Sequence, residues 1–140
     1  MIAAIVSLAI VFLTRRSEAI KHFESIRTTA YVDFIRGIAG LAIMQRSPVQ
    51  EGKEQFLRGM ESKILVADAK ARIAIYGSEP VVSLLANFLR GGAILDTPER
   101  AREFTAVCQK MRSDGRPRPK KVTDEDIHFL LFDFEMKHYQ

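Results

Sequence analysis

The chain of 140 residues has no tryptophan and one cysteine, Cys108. A lone thiol cannot close an intramolecular disulfide, so the fold must rest on packing, as suits a reducing compartment. In the amphipathic stretch between Val107 and Gln109 it is expected to be a buried structural thiol. Glycine and proline number 8 and 5, too few for a linker-dominated chain. Neither sign of charge is scarce: 21 basic and 17 acidic residues leave +4, with a pI near 9.4. Catalytic signatures are missing, with no His-Glu-x-x-His, no phosphate loop and no serine nucleophile elbow. His22, His128 and His138 share no helical spacing, so neither a metal site nor a catalytic group is expected. The chain does not read as an enzyme, and no cofactor is implied.

Hydrophobic residues make up 47% of the chain, enough for one domain to bury a core. The first run, Met1 to Leu13, carries only Ser7 as a polar side chain and is followed by Arg15 and Arg16. An apolar run with no polar face predicts a membrane anchor, residues 1–14, ahead of a cytoplasmic domain, residues 15–140. Arg15 and Arg16 would orient it in the cytoplasmic (inner) membrane as a single pass with its N-terminus outside. Thirteen residues rise only about 20 Å, against a hydrocarbon core of about 30 Å. The shortfall would need thinning, snorkelling or oligomerisation.

Helical periodicity organises the rest, and the fold class expected is all-α. The membrane helix would lead into a long antiparallel helical hairpin with three shorter C-terminal helices. Phe23, Ile26, Ala30, Phe34, Ile38 and Leu41 form one stripe between about Ser17 and Gln45. Gly37 and Gly40 near its end either cost helicity or admit another helix at close range. Ser47-Pro48 breaks the run and would form the hairpin tip. From Val49 to Tyr76, Leu57, Met60, Ile64, Ala67, Ala71 and Ala74 recur at steps of three and four, close to a coiled-coil seam. That seam predicts core packing inside the hairpin, or oligomerisation through the same residues as the sharper reading.

Gly77 is expected to end this helix with a left-handed cap, and Ser78 to start a third helix through Pro80 and Val81 to Leu89. Asp96, Thr97, Pro98 and Glu99 mark the start of a fourth, and Thr123 to Asp126 cap a fifth. That capping role accounts for the carboxylates Asp124, Glu125 and Asp126 without catalysis.

Between the last two helices the chain is basic. Lys110, Arg112, Arg116, Arg118, Lys120 and Lys121 face one acid, Asp114. Alternating prolines make this an extended loop that could lie on anionic lipid headgroups. Nucleic acid suits it less, because no aromatic side chains are interleaved for stacking. Arg112 and Asp114 are expected to form a structural ion pair.

Two segments carry a resemblance: Ile75 to Val82, through Tyr76, Gly77 and Ser78, and Met111-Arg112-Ser113-Asp114. In these the chain resembles a group of small bacterial proteins of uncharacterised activity. The group has an N-terminal membrane segment, a helix ending in Tyr-Gly-Ser, an apolar helix and a Met-Arg-x-Asp segment. Thr123 to Ile127 resembles its closing helix start, whereas the basic stretch from Arg116 to Lys121 is usually absent from it. The resemblance implies architecture and no activity. The function expected is a membrane-anchored scaffold or accessory protein acting through a protein partner or a second copy. The alternative is an anionic phospholipid- or nucleic-acid-binding module using the basic loop.

Overall fold

The computed structural model describes residues 2–46, 52–114 and 122–132, and the described residues form five helices and no strand. These are α1 (Ile2–Arg46), α2 (Lys53–Tyr76), α3 (Glu79–Arg90), α4 (Pro98–Asp114) and α5 (Asp124–Phe132). The all-α expectation holds. The Ser47-Pro48 tip and the loop residues Arg116, Arg118, Lys120 and Lys121 lie outside the described residues.

The membrane anchor is corrected. No helix among the described residues is long and apolar enough to cross a membrane. The physical reason is continuity: α1 runs unbroken from Ile2 through Arg15 and Arg16. The apolar run therefore passes into Thr14, Arg15, Arg16, Ser17 and Glu18 before it reaches bilayer length. Arg15 and Arg16 are exposed residues within α1, and the boundary expected at residue 14 falls inside that helix. The single-pass inner-membrane placement falls with the anchor.

α1 and α2 form the antiparallel hairpin. Phe23 near the start of its paired region meets Tyr76 at the end of α2, ring centroids 5.6 Å apart. Further along, Arg72 of α2 binds Asp33 of α1 at 2.7 Å. Close approach replaces bulk between them. A Cβ added at Gly37 would sit 2.5 Å from Val66 Cγ2, and one at Gly40 would sit 2.5 Å from Ser62 Oγ. Of the two readings of these glycines, the helix-approach reading is the one observed.

The α1 stripe is buried at Ala30, Phe34 and Ile38, with Tyr31 beside it. α3 and α4 complete the core with Val81, Leu85, Phe88, Phe104, Val107, Cys108 and Met111. Cys108 is buried as expected, and burial pushes its thiol up to about 12. α5 closes over α4 through a polar contact inside the core. His128 is fully buried, 3.0 Å from Thr105 Oγ1 through Nδ1. The Thr105 hydroxyl donates to the Ala101 carbonyl at 2.8 Å, so Nδ1 is the donor of the pair.

Caps follow the sequence at two helices and depart from it at a third. Thr97 accepts from the Arg100 N–H at 3.3 Å with Pro98 at the first helical position. Thr123 and Asp126 satisfy each other reciprocally: Asp126 N–H donates to Thr123 Oγ1 at 3.2 Å, and Thr123 N–H donates to Asp126 Oδ2 at 3.2 Å. Gly77 is not left-handed, having φ −67° and ψ 153°. Glycine is needed there for space, because a Cβ would meet the Ile73 carbonyl oxygen at 2.5 Å.

Candidate functional site

The hairpin buries a different stripe of α2 from the one its large hydrophobes mark. Gly59, Val66, Ala69 and Ile73 are the buried residues, with Ser62 half-buried between them. Leu57, Met60, Ile64, Ala67, Ala71 and Ala74 are all exposed. Ile64 keeps 61% of its surface in solvent and Leu57 49%. The expectation that this seam packs inside the hairpin is corrected. Both stripes step by three and four, so periodicity alone does not choose between them. Gly37 and Gly40 on α1 choose, because without a Cβ they let α2 approach closely with Val66 and Ser62 toward them.

With Leu57 as the first position (a) of a heptad, the exposed stripe fills a with Leu57, Ile64 and Ala71. It fills d with Met60, Ala67 and Ala74. The buried residues occupy c and f, roughly 150° around the helix from the a/d seam. Among the described residues α2 therefore has α1 on one face and a coiled-coil seam without a partner on nearly the opposite one.

The flanks of the exposed seam are charged by position. Lys63 and Lys70 take g, while Glu61 and Asp68 take e, and all four are exposed. Asp68 is oriented from behind: Arg72 bridges its Oδ2 at 2.6 Å and Asp33 Oδ2 at 2.7 Å. These carboxylates hold the Arg72 guanidinium above its ordinary value, with Asp33 the larger influence. The ion triad thus ties the working helix to α1.

A second polar cluster lies at the same open end of the hairpin, two residues before Asp33 on α1. The Tyr31 hydroxyl donates to Asp114 Oδ2 at 2.6 Å and accepts from the Ser78 N–H at 3.2 Å. Burial, then the Asp114 hydrogen bond, pushes the phenol up to about 12. Arg27 lies 3.4 Å from the same carboxylate oxygen. The expected Arg112–Asp114 pair is corrected: among the described residues Asp114 pairs with Arg27, on another helix. A long-range partner of this kind leaves no local spacing to find. Tyr31 and Arg27 were missed for that reason.

Arg112 instead lines a cavity of about 280 Å³ with Thr28, Tyr31, Val32, Ile35, Cys108 and Met111. Lys110 and Arg112, the two described members of the basic stretch, are two residues apart on α4. They project roughly 200° from one another, so they do not form one basic face. Among the described residues no three His, Cys, Asp or Glu side chains converge as a metal site would need. No family model matches the chain, and no curated protein or solved structure matches it.

Proposed function

We propose that this chain is a helical scaffold or accessory protein that acts by protein–protein interaction, with the outward a/d seam of α2 as its contact surface. One observation carries the reading: six residues at unbroken heptad spacing all lie exposed on a helix whose other face is already packed. A solvated helix face has no need of Leu57, Met60 and Ile64 at those positions, and charged side chains would serve it better. The supporting helix α1 holds the seam straight and pre-formed. Less conformational freedom is then lost when a partner docks.

Site-specific photo-crosslinking in cells that make the chain tests this. A photoreactive residue at Leu57 or Ile64 should give a discrete adduct, whereas one at the exposed Arg102 on α4 should not. Equal labelling at all three positions, or no adduct from the seam, would remove the reading.

A further inference from the structure

The charges beside the seam select its occupant. We propose that the partner is a second copy of this chain, docked α2 against α2 in parallel and in register; this rests on the seam being a contact surface.

In a parallel in-register pair, a g residue faces the e residue five positions further along the partner helix. Lys63 of each chain then meets Asp68 of the other, and the twofold axis repeats the pair. Phe56 at g lies against Glu61 at e, and Lys70 at g against Ile75 at e, so no like charges meet. An antiparallel pair brings g against g and e against e. Lys63 would face Lys70, and Glu61 would face Asp68, with each repulsion made twice. The same six seam residues fit both directions, and the flanks separate them.

Two features of the helix favour the parallel pair further. Asp68 is held in place by Arg72 through Oδ2 at 2.6 Å, which leaves Oδ1 as an acceptor for an incoming lysine. The seam tapers along the chain from Leu57, Met60 and Ile64 to Ala67, Ala71 and Ala74. In a parallel pair large meets large and small meets small, so the two helices converge toward Ala74. β-branched Ile64 at a central a position suits a two-stranded pair. In the dimer each α1 lies on the outside of the paired α2 helices.

Single-cysteine disulfide trapping of the purified full chain tests direction and register. Cys108 is buried and its thiol is pushed up to about 12, so it stays silent and the unaltered chain is the blank. Leu57→Cys alone and Ala74→Cys alone should each give a disulfide-linked dimer on mild oxidation. A mixture of the two should give few 57-to-74 links. Links only between 57 and 74 would overturn the parallel pair, and no links in any sample would overturn the second copy as partner. Lys63→Glu should weaken self-association about tenfold. Adding the Asp68→Lys chain to it should restore a mixed dimer, a rescue that a misfolded variant could not give. The photo-adduct separates the two levels. An adduct of twice the 15.8 kDa chain mass supports both, and any other mass keeps the contact surface but overturns self-pairing.

Discussion

At the scale of single residues, Tyr31 and His128 each join separate helices through a polar contact. Tyr31 links α1, the α2–α3 turn and the end of α4 through one hydroxyl. Tyr31→Phe removes a hydrogen bond to a carboxylate and leaves the Ser78 N–H without that acceptor. The expected loss is about 1.5–3 kcal/mol by denaturant unfolding, with the seam unaffected. His128 works through protonation. Its pKa is lowered from 6.5, first by burial and then by the nearby positive charge of Arg102. The unfolded chain therefore takes up a proton before the folded one does, and stability must fall as pH drops below 6.5. His128→Asn can keep the N–H to Thr105 without titrating, so its unfolding free energy should be flatter across that window. An equally steep fall in the variant would locate the proton elsewhere.

At the scale of elements, helix existence was legible in the sequence and helix pairing only partly. The α1 stripe of Ala30, Phe34 and Ile38 could be read because it meets its core with large side chains. α2 carries two stripes of the same period, and the conspicuous one faces outward. Gly59, Ser62, Val66, Ala69 and Ile73 look unremarkable alone, because their meaning depends on Gly37 and Gly40 in another helix. The Gly37 contact gives a direct test. Gly37→Ala pushes a methyl against Val66 and should cost about 1–3 kcal/mol, read as a lower Tm. Val66→Ala in the same chain should recover part of that loss. Additive losses in the double variant would mean that the helices do not touch there. Arg27 and Asp114 were hidden for a related reason: their contact spans 87 positions, and a nearer arginine, Arg112, offered a local alternative.

At the scale of the whole molecule, the apolar N-terminal run is part of one 45-residue helix and not a separate membrane span. Ile10, Val11, Phe12 and Leu13 remain more than half exposed, as they lie beyond the end of α2. Of the C-terminal helices α4 meets α1, with α3 and α5 packed on α4, and the hairpin presents the back of α2 outward. Pairing two such hairpins gives four helices in a row with α2 against α2 at the centre, and burial of Leu57, Met60 and Ile64 drives it. Fully burying side chains of this kind is worth about 1.5–3 kcal/mol each. That the second seam of α2 holds two chains together is tested most directly by sedimentation equilibrium of the full chain beside Ile64→Glu. The native chain should run at twice its 15.8 kDa mass and the variant at the single mass with unchanged helicity. Equal masses for the two would contradict it.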